Sequence, residues 1–220
     1  MSIGRKILKQ INKINQLLID SSIQVDFNNS SDTNSVITWG GQGNISLLLK
    51  DMSYKESYDY ILKERQFNFK LFDGALIQMM YKYKRNDILE HRLAYYPNPN
   101  VEIYQENIED FEENYYGNKL FADIYEKNSI IVPIRFDYDV DERKYIEHHH
   151  SYSHLTLGNY KSCRIPVSRA ISPMKFILFI LRSFYFEKFQ ENYTIKTFSC
   201  DLSILPKITD KEMMNLHIKI

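Results

Sequence analysis

Cysteine is scarce in this sequence. The 220 residues contain two cysteines, Cys163 and Cys200, and no pair of cysteines separated by two residues. A disulfide framework and a zinc ribbon both need several cysteines at defined spacings, so both classes are excluded. We therefore expect a reduced protein of a cytoplasmic compartment.

Long apolar runs are also missing. The longest run covers residues 176–181, between Lys175 and Arg182, whereas a membrane-spanning helix needs about 20 apolar residues. The first ten residues, MSIGRKILKQ, contain no apolar core of the kind that secretory signals have. We predict a cytoplasmic location and no membrane partner.

An excess of charge of either sign is absent as well. The sequence has 28 Lys and Arg residues and 28 Asp and Glu residues, so its formal net charge is zero. This excludes a strong overall attraction to nucleic acid, and any basic binding surface must be local. Aromatic residues, in contrast, are abundant, with 17 Tyr and 13 Phe. These residues favour strands and interfaces, so we expect a β-sheet.

Residues 3–20 have the pattern of an amphipathic helix. Five apolar residues fall on one face at helical spacing: Ile3, Ile7, Ile11, Ile14 and Leu18. Four basic residues lie on the rest of the helix: Arg5, Lys6, Lys9 and Lys13. The basic residues indicate either an arm for nucleic acid or a solvated helix face. The apolar stripe should pack on the domain or on a partner, including a second copy of the chain.

The middle of the chain alternates strand patterns with turn signals. The clearest hairpin joins strands 75–83 and 88–96 through the polar turn 84–87. Ser53 and Glu56 form a capping box that opens a helix. Residues 26–35, DFNNSSDTNS, predict a loop or short linker, and the GGQG of residues 40–43 predicts a turn. The acidic residues 102–118 indicate a DNA-mimicking or partner-binding surface, or a solvated helix and loop.

The later part of the chain contains a long apolar helix pattern. Ser172 and Pro173 form a strong helix start, and residues 173–190 are apolar on nearly all sides. A strand is predicted over 193–199 and a short helix over 209–216. We predict an α+β fold, with a curved, mainly antiparallel sheet of about six strands that the 173–190 helix covers. Residues 1–25 form an N-terminal helical arm and residues 36–220 a single domain.

Residues 131–167 concentrate the chemistry-bearing side chains. Four of the six histidines lie there: His148, His149, His150 and His154. Alternation on the strand 130–138 places Arg135, Asp137 and Asp139 on one face. The next strand patterns, 153–157 and 162–167, bring His154 and Arg164. Adjacent strands pair across short connections, so we expect Arg135, Asp137, His150, His154 and Arg164 to converge on one concave, partly exposed surface.

Three interpretations of this cluster remain open. His150 and His154 with Asp137 or Asp139 offer ligands for a divalent metal, although no diagnostic metal motif is present. Alternatively, histidines supply an acid and a base, and Arg135 and Arg164 bind phosphate, for metal-free RNA cleavage. The third interpretation is structural, with His154 a hydrogen-bonded core residue. The adjacent Ser153 and His154 face opposite sides of a strand, and Cys163 is expected to be a small core residue.

Several segments, taken in order, resemble a bacterial family catalogued as a domain of unknown function, number 2290. The segments read DGALIQMMYKY, HRLAYYPNP, RFDYD, HHSYSHLTLG, CRIPV and SPMKFILFILRSFY. The resemblance covers about residue 36 onward. The most specific segment is residues 149–158, in which His150 replaces an expected proline and Thr156 an expected histidine. The resemblance implies no established activity, but such families often sit beside mobile-element and defence genes.

We therefore predict a bacterial protein that acts on RNA or another nucleic acid, as a toxin or a defence component. The predicted catalytic residues are His154, His150, Arg135, Arg164 and Asp137, with no cofactor and no metal. The alternative is a non-catalytic adaptor subunit whose N-terminal helix binds a protein partner.

Overall fold

The structure is a computed structural model, and it describes residues 1–40, 52–99, 132–158, 162–192, 202 and 204–220. Within these residues there are five α-helices: α1 (Ile3–Asp20), α2 (Tyr54–Lys63), α3 (Pro173–Phe184), α4 (Phe186–Glu191) and α5 (Asp210–Met213). The same residues contain nine strands: β1 (Gln24–Phe27), β2 (Ser31–Thr33), β3 (Val36–Thr38), β4 (Phe69–Leu71), β5 (Leu76–Lys84), β6 (Asp87–Tyr96), β7 (Ile134–Asp139), β8 (Ser153–Leu157) and β9 (Arg164–Pro166). None of the helices in the described ranges is both long and apolar enough to cross a membrane.

All nine of these strands belong to one antiparallel sheet, which confirms the α+β fold. The order is β1-β4-β5-β6-β7-β8-β9, and β3 pairs with both β2 and β5. The predicted hairpin is confirmed as β5 and β6, which meet at a two-residue turn in which Arg85 has a positive φ of 56°. The number of strands exceeds the predicted six.

The interpretation of residues 26–35 as a loop or linker is wrong. Asp26 and Phe27 pair with β4, and β2 forms a small hairpin with β3. Asn34 and Ser35 form its turn, with φ angles of 53° and 63°. The side chains of β2 are exposed, so no apolar alternation marks this strand in the sequence.

One face of the sheet, the helical face, packs against α1 and α3. Its strand residues alternate with those of the opposite face, as a pleated sheet requires. Phe136 of β7 makes edge contacts with Phe176 and Phe179 of α3, at centroid distances of 6.1 and 5.5 Å. The predicted stripe of α1 is buried in the same core: Ile3, Ile7, Ile11, Ile14 and Leu18.

The N-terminal helix is therefore confirmed, and its apolar stripe packs on the chain's own sheet. Gln10 also accepts a hydrogen bond from the Met174 N–H at the start of α3, at 3.2 Å. This apolar stripe is consequently occupied within the chain rather than presented to a partner. A domain boundary after residue 25 stays a prediction.

The predicted 173–190 helix needs a correction. The capped start at Ser172 and Pro173 is confirmed, but α3 ends at Phe184. Tyr185 leaves the helical conformation, with φ −135° and ψ 47°, and its buried hydroxyl donates to Asp73 Oδ2 at 2.8 Å. The helix is also one-sided, because Phe179 is exposed while Ile177 and Ile180 are fully buried. The chain becomes helical again as α4 at Phe186, so the predicted helix is interrupted at Tyr185.

Two buried polar side chains fix the entry into α3. Tyr81 of β5 donates its hydroxyl to the Ile171 carbonyl at 2.8 Å, and the Ile171 N–H donates to His91 Nε2 at 2.9 Å. Burial lowers the pKa of His91 to about 4, so the ring is neutral and its Nε2 can accept this bond. No pattern in the sequence singles out His91.

Other predictions have mixed outcomes. The capping box of Ser53 and Glu56 is confirmed at the start of α2, and the short terminal helix is confirmed as α5. Residues 41–43 of the GGQG turn, the acidic segment 102–118, the strand 193–199 and Cys200 lie outside the described residues.

Candidate functional site

The register of β6 to β9 brings the predicted site residues to one face. Arg92 lies opposite Asp137, and Asp137 lies opposite His154. In the next row, Arg135 lies opposite Thr156, and Thr156 lies opposite Arg164. Residues directly opposite in antiparallel strands share a face and have Cβ atoms about 5 Å apart. We call the surface that these six polar residues form the polar face. It is the side of the sheet opposite the helical face.

Helix α2 lies at one end of the polar face. Its Tyr58 and Ile61 pack in a small apolar cluster with Leu76, and Tyr96 packs against that cluster. Tyr96 is also close enough to Arg135 and Arg92 for these charges to act on its phenol, although burial is the larger effect and raises its pKa. Helix α2 and Tyr96 therefore lie beside Arg92 and Arg135 at this end of the polar face.

Asp137 is the centre of the polar face. Its Oδ2 accepts from Arg135 Nε at 2.5 Å, and its Oδ1 accepts from Arg92 Nε at 3.2 Å. Burial alone would raise the pKa of Asp137, but Arg135 and Arg92 outweigh it and hold that pKa below its usual value. A carboxylate with both oxygens bound to guanidinium groups is a weak proton acceptor. The geometry therefore indicates that Asp137 positions the side chains of Arg92 and Arg135 rather than accepting a proton.

His154 lies beneath this network and is buried. The partly exposed surface predicted from the sequence does not include the His154 side chain, because only 3% of the residue is accessible. Its Nδ1 donates to the Ser151 carbonyl at 3.0 Å, and Nε2 lies 3.7 Å from Asp137 Oδ2. Burial lowers the pKa of His154 to about 4 and Asp137 only partly opposes this. The ring is therefore neutral at pH 7, with the lone pair of Nε2 toward Asp137.

His150 covers His154. The two rings meet edge to face, with centroids 4.8 Å apart, and His150 is only half-buried. Burial lowers the pKa of His150, and the charge of Arg164 lowers it further. Of these two rings, His150 is thus the one that solvent can reach.

The other two histidines lie at the edge of the cluster. His149 Nδ1 is 3.5 Å from Arg164 Nη1, whereas His148 contacts Glu147 and Asn215. Within the residues that the structure describes, no group of three or more metal-binding side chains is placed to hold an ion.

Arg164 has no carboxylate partner among the described residues, in contrast to Arg92 and Arg135. Three guanidinium groups on the polar face thus oppose one carboxylate, Asp137. With His154 neutral, these six residues carry about two net positive charges at neutral pH. Two of its members, Arg92 and Thr156, were missed from the sequence. The hairpin pattern could have indicated Arg92, because Arg92, Ala94 and Tyr96 are two residues apart along β6 and lie on the same face of the strand.

These features define an α+β protein with a cationic, histidine-containing face on an antiparallel sheet. The chain belongs to the family described as uncharacterized conserved protein (DUF2290), whose model matches residues 18–220. The resemblance noted in the sequence is therefore confirmed, and it begins earlier than residue 36. Neither the curated proteins nor the solved structures contain a match to this chain.

Proposed function

We propose that the protein binds single-stranded RNA, or another nucleic acid, through the arginines of the polar face. The observation that supports this best is the row of Arg135, Thr156 and Arg164, which offers hydrogen-bond donors and positive charge side by side. Guanidinium groups match phosphate oxygens in shape and charge. Tyr96, which lies at one end of the polar face, adds a ring on which a base can stack.

We further propose slow RNA cleavage with His150 as the general base. His150 would take the proton from a ribose 2′-hydroxyl, whose oxygen bonds to phosphorus while the bond from phosphorus to the 5′-oxygen breaks. The products are a 2′,3′-cyclic phosphate and a 5′-hydroxyl end, and water protonates the leaving oxygen. Because the pKa values of His150 and His154 are both lowered, neither ring is a good proton donor at pH 7.

Binding is tested by fluorescence anisotropy with labelled single-stranded RNA across a range of salt concentrations. Arg164→Ala should weaken binding and reduce the slope of log affinity against log salt by about 0.7, the contribution of one phosphate contact. Arg182→Ala is the matched control, because Arg182 is exposed on α3, against the helical face of the sheet. Equal loss in both variants, or no RNA binding by the wild type, would refute the proposal.

Cleavage is tested by the chemistry of the product ends. His150→Ala should abolish formation of cyclic phosphate, whereas binding of RNA should persist. His154→Asn keeps a donor for the Ser151 carbonyl and removes Nε2, so it should cleave at nearly the wild-type rate if His150 is the base. Cleavage that survives in His150→Ala and disappears in His154→Asn would identify His154, and not His150, as the general base.

A role as a toxin or defence component follows only if the protein cleaves RNA. Induced expression in bacteria should then arrest growth and degrade cellular RNA, and His150→Ala should relieve both effects. Growth arrest of equal strength in cells that express His150→Ala would show that toxicity does not depend on this site.

A further inference from the structure

Two buried polar atoms on the polar face have no hydrogen-bond partner in the described part of the chain. They are Thr156 Oγ1 and Arg164 Nε, on side chains that lie directly opposite each other in β8 and β9. Thr156 is 8% exposed. A buried polar group without a partner is costly, and native proteins leave few of them. Two such groups side by side indicate a binding site in which a ligand supplies the missing hydrogen-bond partners.

The chemistry of the missing partner follows from the atoms that lack one. Arg164 Nε–H can only donate, and a threonine hydroxyl can donate as well. On the other side of Thr156, Arg135 uses Nε for Asp137, and its two Nη groups have no hydrogen-bond partner among the described residues. An oxyanion can accept from all three side chains, because the Arg164 Nε–H and the Arg135 Nη groups are donors and the Thr156 hydroxyl can act as one.

The number and charge of these groups favour a phosphate monoester over a phosphodiester. Three donor side chains stand in one row, with Thr156 between two guanidinium groups. A phosphate monoester presents three terminal oxygens and a charge of about −1.5 to −2 at pH 7. That charge matches the net charge of the polar face, which is three guanidinium groups minus one carboxylate. An internal phosphodiester offers two free oxygens and a single negative charge.

We propose that Arg135, Thr156 and Arg164 form a subsite for a terminal phosphate group, which we call the phosphate row. Thr156 donates to one oxygen at the centre, and the two guanidinium groups close over the other oxygens. Because Thr156 Oγ1 and Arg164 Nε are shielded from solvent, the long arginine side chains part to admit the ligand. The subsite rests on the proposed function in taking the phosphate to be the end of a nucleic acid strand.

Thr156→Val separates this proposal from a structural role of the threonine. Valine has nearly the same shape and removes an unpartnered hydroxyl, so the unliganded protein should melt about 2 °C higher or more. The same change removes one donor to phosphate and should weaken phosphate binding about tenfold. A residue that matters only for packing or for strand pairing would not raise stability and lower affinity together.

The first measurement is calorimetric titration of the full chain with inorganic phosphate at pH 7.5 and constant ionic strength. The wild type should bind, and Thr156→Val and Arg164→Gln should each bind at least about tenfold more weakly. Ser153→Ala is the matched control, because Ser153 is buried in the same strand with its side chain toward the helical face, where it donates to the Arg169 carbonyl. Its phosphate affinity should equal that of the wild type. No binding by the wild type, or an unchanged affinity in Thr156→Val, would overturn the subsite.

The second measurement compares three RNAs of one sequence, with a 5′-phosphate, a 3′-phosphate or hydroxyl groups at both ends. Preference for one phosphorylated end, lost in Thr156→Val, supports the subsite and identifies that end. Equal binding of all three RNAs, unaffected by Thr156→Val, refutes the subsite and leaves the proposed RNA binding intact. If inorganic phosphate binds in the expected way and no RNA does, the subsite stands and the proposed function fails.

Discussion

Replacement of Asp137 by asparagine is the sharpest test of the polar network. An asparagine side chain has the same shape as that of aspartate but no charge, so Arg92 and Arg135 would lose the carboxylate that both of them bind. The side chain of Asp137 is 16% exposed, whereas those of Arg92 and Arg135 are 36% and 38% exposed. The carboxylate is therefore largely buried, and its two partners are partly solvated.

The expected loss of stability follows from these exposures. Breaking a fully buried ion pair costs about 3–5 kcal/mol. Because water screens the two guanidinium groups in part, we expect Asp137→Asn to lower the free energy of unfolding by about 2 kcal/mol at pH 7. For a chain of 150–250 residues this corresponds to a fall in melting temperature of about 4–8 °C. The melting should remain cooperative, because the helical face is untouched.

The pH dependence gives the same prediction a second check. The pKa of Asp137 is lowered in the folded protein, so its stabilisation is present above the ordinary carboxyl pKa and is lost as the pH falls through the folded value. The stability difference between wild type and variant should therefore be constant between about pH 5 and 7 and shrink below about pH 4. Urea denaturation at each pH measures it. A variant as stable as the wild type at pH 7 would refute the reasoning.

Three further predictions concern the core and the buried histidines. Ile180→Asp should unfold the protein, because Ile180 is fully buried and an unpaired buried carboxylate costs several kcal/mol; a variant with a cooperative melt by circular dichroism would contradict this. Removal of residues 1–20 should expose the helical face and lower the melting temperature sharply, whereas unchanged melting would show that α1 is dispensable. Stability should fall as the pH drops from about 6.5 to about 4, by about 3 kcal/mol for each of His91 and His154. Burial lowers both pKa values to about 4, so only the unfolded chain takes up these protons, and a flat stability profile over that range would contradict this.

Local patterns predicted the elements that depend on short-range information. The stripe of α1, the β5–β6 hairpin and the alternation of Arg135 and Asp137 on β7 are all visible at helical or strand spacing. These features are recoverable because burial of one side sets the period of the apolar residues. Placing Arg135, Asp137 and His154 on one surface needed only the pairing of β7 with β8.

Features that depend on distant segments were missed. Arg92 enters the site because β6 pairs with β7, although more than thirty residues separate the two strands along the chain. His154 is buried because His150 covers it, and the path of the loop between Asp139 and Ser153 decides that contact. The break between α3 and α4 falls at Tyr185, whose hydroxyl bonds to Asp73, 112 positions away along the chain. No periodicity encodes such contacts.

The β5–β6 hairpin has a consequence for the order in which the chain folds. Its two strands pair along nearly their whole length across a two-residue turn, so its contacts form with little loss of loop entropy. The segments that complete the helical face, α1 and α3, lie at opposite ends of the sequence and must be brought in later. We expect the hairpin to be formed in the transition state, so that Leu93→Ala slows refolding while Ile177→Val mainly accelerates unfolding. Stopped-flow chevron plots of the two variants with equal effects on both arms would contradict this order.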